Sequence, residues 1–154
     1  MKLLSWNVNG FRAAYKKGFP EFLAKAKPNV LCLQETKCEP KDLKPMMAAY
    51  EGYAVEWHWS EKKGYCGVAT FSKVKPARGD RGLGSPLFDA EGRVLKTVFK
   101  DFTLFNVYFP NGKSRDERLK FKLDFYDSFL ETLARARKNG EDRILICGDV
   151  NTAH

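Results

Sequence analysis

Hydrophobic and polar positions fall into short blocks along the chain, each bounded by Gly, Pro, Asn or Asp, and the period inside a block identifies the element it forms. Residues 2–7 read as a short strand that Asn9-Gly10 breaks, and residues 11–27 carry helical spacing interrupted at Gly18-Phe19-Pro20. Pro28-Asn29 closes that helix, and residues 30–33 (V-L-C-L) read as a buried strand running into the polar cluster Gln34-Glu35-Thr36-Lys37. A second helix is expected over residues 41–50. Strands follow over residues 53–59, 66–71, 94–99 and 102–109, with Gly79, Gly82 and Gly84 read as turn formers.

The clearest helix starts at Ser114, where S-R-D-E makes Ser114 the N-cap and Glu117 its capping-box partner; Asn139-Gly140 is the stop signal. Leu119, Leu123, Tyr126, Leu130 and Leu133 recur at spacings of three and four, which predicts that this stripe packs against the core. A last strand over residues 143–147 leads into Gly148-Asp149-Val150-Asn151, a polar loop that reads as running on into further structure. Strands alternating with helices predict an α/β fold, and 154 residues suit one hydrophobic core.

Composition narrows the class. With 44% hydrophobic and 30% charged residues the chain is globular rather than disordered. The longest unbroken apolar run, residues 46–50, falls far short of the ~20 residues a membrane-spanning helix needs. Lys2-Leu3-Leu4 is interrupted by Ser5, Asn7 and Asn9 before a signal-peptide core develops, so a cytoplasmic protein without a membrane partner is expected. Cys32, Cys38, Cys66 and Cys147 contain no C-x-x-C pair and read as free thiols, three of them in apolar, strand-like surroundings. Lys and Arg number 27 against 19 Asp and Glu, a formal net charge of +8. Such an excess draws polyanions, nucleic acid foremost; the blander reading is a solvated basic surface.

Several core strands end in oxygen-bearing residues: Asn7 after the first, Glu35 after the second, Asp149 and Asn151 after the last. Ligands of open α/β sheets bind outside strand ends, so positions distant in sequence can meet there. Carboxylate and amide oxygens without His or Cys suit a hard cation such as Mg²⁺, which keeps several waters and is commonly completed by substrate phosphate. Taken singly, each residue has a plainer role. Asn7 can bond its own backbone at a turn, Glu35 can pair with Lys37, Asp149 can end a strand, and Tyr108 can pack in its aromatic strand.

Taken together, six segments resemble, in order, the motifs of the exonuclease III family of apurinic/apyrimidinic endonucleases, within the wider exonuclease-endonuclease-phosphatase superfamily. They are S-W-N-V-N-G-F-R-A from Ser5, L-C-L-Q-E-T-K from Leu31, G-Y-C-G-V-A from Gly64, E-G-R from Glu91, N-V-Y-F-P-N from Asn106 and G-D-V-N from Gly148. The resemblance runs the length of the chain. Q-E-T or G-D-x-N alone would indicate only the superfamily; N-G-x-R-A and Y-x-P-N point to its DNA-repair branch.

The resemblance implies an α/β fold that is the N-terminal half of a four-layer α/β/β/α sandwich over residues 1–154, with the C-terminal half absent. It implies a DNA repair nuclease that hydrolyses the phosphodiester 5′ to abasic sites in double-stranded DNA and trims recessed 3′ ends by 3′-to-5′ exonuclease action. The implied cofactor is Mg²⁺, with Mn²⁺ as a substitute. Glu35 would be the principal metal-binding carboxylate, joined by Asn7, Asp149 and Asn151, with Lys37 steadying it. Asp149 would orient or deprotonate the attacking water, Asn151 would hold the scissile phosphate, and Tyr108 would contact that phosphate. Arg12, Ala13, Lys17, Gly64 and Tyr65 fall where family members touch the DNA backbone.

Family members also place an Asp-His pair near their C-terminus. This chain has none, and neither His58 nor His154 reads as its replacement, so the 154-residue chain is expected to be inactive alone. Two other readings stay open. One is a non-catalytic nucleic-acid-binding or assembly module whose open sheet edge pairs with a complementary half or a second copy. The other is a superfamily relative acting on RNA or small phosphoesters.

Overall fold

A computed structural model describes residues 1–43, 45–46, 50–112 and 116–152. In chain order the elements are β1 (Leu3–Asn7), α1 (Phe11–Lys16), α2 (Phe19–Ala26), β2 (Val30–Gln34), α3 (Pro40–Leu43), β3 (Ala54–His58), β4 (Val68–Ser72), β5 (Arg78–Arg81), α4 (Pro86–Asp89), β6 (Val94–Val98), β7 (Thr103–Tyr108), α5 (Asp116–Lys138) and β8 (Ile144–Asp149). Among the described residues the strands form two four-stranded sheets, ordered β1-β2-β4-β3 and β5-β6-β7-β8. The β1–β2 and β7–β8 pairs are parallel, because each is joined by a helical crossover, and the other neighbours are antiparallel.

The sheets stack face to face with helices outside, giving the four layers α/β/β/α. Leu31 and Leu33 of β2 and Ala69 and Phe71 of β4 pack against Phe11, Phe19 and Leu23 of α1 and α2. Phe105 and Val107 of β7 pack against Phe125 and Phe129 of α5. Between the sheets lie Val30, Cys32, Phe99 and Leu104, flanked by Leu3, Phe102 and Cys147. Strand β2 is therefore covered on both faces, which is why V-L-C-L is apolar without alternation. Among the described residues no helix is long and apolar enough to cross a membrane.

The structure departs from the sequence expectations in three places. Of the helix expected over residues 41–50, α3 (Pro40–Leu43) is α-helical and residues 45–46 and 50 are 3₁₀-helical, while residues 44 and 47–49 lie outside the described residues, as do Ser114 and His154. Gly79 is not a turn former: it sits inside β5, where a Cβ would collide with the Glu56 carboxylate. The third departure is the buried face of α5. Leu119, Leu123 and Leu130 are exposed, whereas Phe125, Phe129 and Ala136 are buried, with Phe121, Tyr126 and Leu133 partly covered. The helix carries two apolar stripes roughly a quarter turn apart, and the aromatic one, with more area to bury, faces the sheet.

Candidate active site

Two parallel strand pairs deliver the site. In the first, Asn7 lies opposite Gln34, so Glu35 follows directly at the strand end; in the second, Tyr108 lies opposite Asp149. Stacking of the sheets brings these two ends together. The Asn7 amide Nδ2 donates to Glu35 Oε1 at 2.9 Å and to Asp149 Oδ2 at 2.8 Å. The Tyr108 hydroxyl donates to Glu35 Oε1 at 2.8 Å, and Lys37 Nζ lies 2.8 Å from Glu35 Oε2. Asn151 donates its backbone N–H to Asp149 Oδ1 at 3.1 Å and its side-chain amide to the Phe109 carbonyl at 2.9 Å. Asn7, Glu35, Lys37, Tyr108, Asp149 and Asn151 are thus neighbours, although 144 positions separate the first from the last.

Backbone strain concentrates around these residues. Asn9, Glu35, Lys37, Cys66 and Asn151 all have positive φ, between 41° and 52°, a region L side chains enter at a cost of about 1–2 kcal/mol each. Hydrogen bonds between loops hold them there. Gly10 N–H donates to the Glu35 carbonyl at 2.7 Å, Phe11 N–H to the Thr36 carbonyl at 2.8 Å, and Lys37 N–H to the Cys66 carbonyl at 2.8 Å. Gly67 must lack a side chain, since at φ 88° a Cβ would collide with the Thr36 hydroxyl.

These bonds also place the residues expected to touch DNA. Arg12, Ala13 and Lys17 are exposed in and just after α1, whose first N–H is tied to Thr36. Exposed Gly64 and half-buried Tyr65 lie on the β3–β4 loop, whose Cys66 is tied to Lys37. Both loops therefore border the Glu35 turn.

Beneath the site the two sheets are joined by a buried polar network. Asn106 donates to the Leu33 carbonyl at 3.2 Å and the Ala69 carbonyl at 2.8 Å, and accepts from Gln34 Nε2 at 2.7 Å. Asn106 and Arg93 stand inside the N-V-Y-F-P-N and E-G-R motifs, but spacing gives them no role, because their partners come from the opposite sheet and from other loops. The pairing of Glu91 and Arg93 two residues apart was the available signal for a buried ion pair. His58 ends β3, buried, with Nδ1 2.8 Å from the Val94 carbonyl, a bond that holds the two sheets rather than the site.

Burial is the largest influence on Glu35 and works to raise its pKa. Hydrogen bonds from Asn7, Lys37 and Tyr108, with the Lys37 charge, outweigh it and leave the carboxyl below its ordinary range. Burial, reinforced by the bond to Glu35, pushes the Tyr108 hydroxyl well above the usual phenol range, so it stays protonated and acts as a donor.

The donor set fits a hard divalent cation. Two carboxylates, Glu35 and Asp149, converge on one amide, and among the described residues neither takes a hydrogen bond from a thiol or an imidazole. Among the described residues there is no cluster of three or more His, Cys, Asp or Glu side chains that could hold a metal. A cation here would take its further oxygens from amides, water and substrate, as Mg²⁺ does. Asn7 turns Nδ2 toward the carboxylates because its Oδ1 accepts the Asn9 N–H at 3.0 Å.

Residues 4–154 match the Endonuclease/Exonuclease/phosphatase family. An exodeoxyribonuclease of Bacillus subtilis is 37% identical over 157 aligned residues covering all of this chain and 60% of the relative. A DNA-(apurinic or apyrimidinic site) endonuclease of Dictyostelium discoideum is 38% identical, again over all of this chain but 42% of the relative. The structure of a 3′-5′ exonuclease from Neisseria meningitidis superimposes with a TM-score of 0.85 at 28% identity, covering 99% of this chain and 59% of that one. The chain spans about half the length of the curated relatives it matches. Shared architecture, matched motifs and this end-to-end coverage mean that the chain belongs to the Endonuclease/Exonuclease/phosphatase family.

Proposed function

We propose that this chain supplies the catalytic strand ends of a DNA repair nuclease that hydrolyses the phosphodiester 5′ to abasic sites in double-stranded DNA and trims 3′ ends. The observation that carries the reading is the convergence of Glu35, Asp149, Asn7 and Tyr108 at the ends of two parallel strand pairs, beside the exposed basic residues Arg12 and Lys17. The relatives named above as an exodeoxyribonuclease and an abasic-site endonuclease support the substrate class.

Glu35, with Asp149 and Asn151, would hold Mg²⁺ or Mn²⁺, and Asn7, whose Nδ2 faces the two carboxylates while its Oδ1 takes the Asn9 N–H, would join them only by turning its amide over; a bound ion supplies positive charge against the negative charge that builds on the phosphate. Asp149, fixed by Asn7 and by the Asn151 N–H, would orient a water and accept its proton. Tyr108 donates a hydrogen bond from its hydroxyl to Glu35 and would redirect it to a phosphate oxygen. Asn7, Lys37 and Tyr108 together keep Glu35 ionised. Arg12, Ala13, Lys17, Gly64 and Tyr65 would bind the DNA backbone from the two flanking loops.

In the full-length protein, Asp149→Asn is expected to lower cleavage of an abasic duplex by about 10²–10³ while leaving duplex affinity within about threefold, because the variant removes a proton acceptor and not a backbone contact. Cleavage at the parental rate would overturn the assignment of Asp149. RNA and small phosphoesters, assayed beside the abasic duplex, should be poorer substrates.

A second observation favours action together with a complementary half rather than alone. The edge strand β8 exposes Leu145 and Ile146, and Ile146 lines a groove with Leu130, Leu133 and Ala134 of α5. Strand β1 is the neighbouring open edge of the other sheet. The occupant proposed for this face is the portion that the longer relatives carry beyond the matched segment. Without it the 154-residue chain should show little turnover and should self-associate in sedimentation.

A further inference from the structure

Among the described residues no charged residue is as buried as Arg93, at 2% exposure. A buried cation persists only where its donors are used, and the partners of Arg93 are specific. Its Nε donates to the Glu91 carboxylate, Nη1 to the Tyr108 carbonyl at 3.1 Å and Nη2 to the Tyr65 hydroxyl at 3.3 Å. Its guanidinium lies 4.8 Å from the centre of the Tyr108 ring and 5.9 Å from that of Tyr65. The Arg93 carbonyl accepts the Tyr108 N–H at 2.8 Å. One residue therefore grips Tyr108 by its ring, its carbonyl and its amide, and holds Tyr65 as well. Glu91 is clamped from the far side by Arg118 of α5 at 2.9 Å.

We propose that Arg93 is a positioning residue that joins Tyr108, at the end of β7, and Tyr65, on the β3–β4 loop, into one rigid unit facing the phosphate backbone, anchored to α5 through Glu91 and Arg118. The inference rests on the reading of Tyr108 and Tyr65 as phosphate contacts given under Proposed function. A flat, forked guanidinium can lie against a ring while bonding a carboxylate, a carbonyl and a hydroxyl at once. A lysine at this position could satisfy Glu91 but not both tyrosines.

The test is a double-mutant cycle in the full-length protein, with abasic duplex as substrate and Mg²⁺ present, comparing the parent, Arg93→Lys, Tyr108→Phe and the double variant. Positioning through Tyr108 predicts that Arg93→Lys lowers kcat about tenfold or more and moves KM by less than about threefold. It also predicts that adding Arg93→Lys to Tyr108→Phe costs almost nothing further. A merely structural ion pair predicts the same factor in both backgrounds, and that additivity would overturn the proposal, as would an unchanged kcat in Arg93→Lys. Full turnover by Tyr108→Phe alone would instead overturn the reading of Tyr108 on which the proposal rests, so the two failures are distinguishable. Should Arg93→Lys not fold, Glu91→Gln, which removes the carboxylate that fixes Arg93, enters the same cycle with the same outcomes.

Discussion

Glu35 takes hydrogen bonds from Asn7, Lys37 and Tyr108, and that saturation keeps a partly buried carboxylate ionised. Its position at the end of an apolar run made it legible in the sequence, as did those of Asn7 and Asp149, because a strand end is a local feature. Asn106 was not legible as a keystone, since its partners Leu33, Ala69 and Gln34 lie 37 to 73 positions away. Replacing Asn106 with Ala would leave two backbone carbonyls and the Gln34 amide without this partner, at about 1–3 kcal/mol for each group left unsatisfied. Asn106→Ala is accordingly expected to lower stability by roughly 2–4 kcal/mol in urea denaturation. Glu91 carries a pH signature. Burial tends to raise its pKa, but Arg118 and Arg93 outweigh that and hold it below the ordinary carboxylate range. Its contribution to stability is therefore complete above the unfolded value and is lost as pH falls through the lower folded value. Glu91→Gln should be less stable than the parent at neutral pH, with the difference shrinking below about pH 4.

At the scale of elements, the strands were readable wherever both faces or alternate residues are covered, as in β2 and β7. Strand β5 was not, because R-G-D-R is mostly exposed and carries no apolar residue to mark a covered face. Helix α5 shows the limit of periodicity most clearly. Its leucine stripe and its aromatic stripe both satisfy helical spacing, and only the sheet beneath decides between them. Phe125→Ala is expected to destabilise the chain by about 3–5 kcal/mol, whereas Leu123→Ala in the 154-residue chain should cost less than about 1 kcal/mol. Equal losses in denaturant melts would show that the leucine stripe is part of the core after all.

For the whole molecule, alternating strands and helices indicate an α/β fold and the four-layer order is what the family resemblance implies, while the meeting of the two sheets' strand ends needs tertiary packing that no local pattern encodes. The formal net charge of +8 on these 154 residues is of the sign that draws a polyanion. Affinity of the full-length protein for duplex DNA should fall steeply with salt, and Arg12→Ala with Lys17→Ala should flatten the slope by about two counterions. The central claim is that oxygen-bearing strand ends hold a hard cation where a phosphodiester is cut. Its most direct test is cleavage of an abasic duplex by the full-length protein and its Glu35→Gln variant across a Mg²⁺ titration. The account predicts no cleavage in excess chelator, recovery on adding Mg²⁺, and a loss of about 10²–10³ in the variant at saturating metal. Undiminished cleavage in chelator, or by Glu35→Gln, would contradict it.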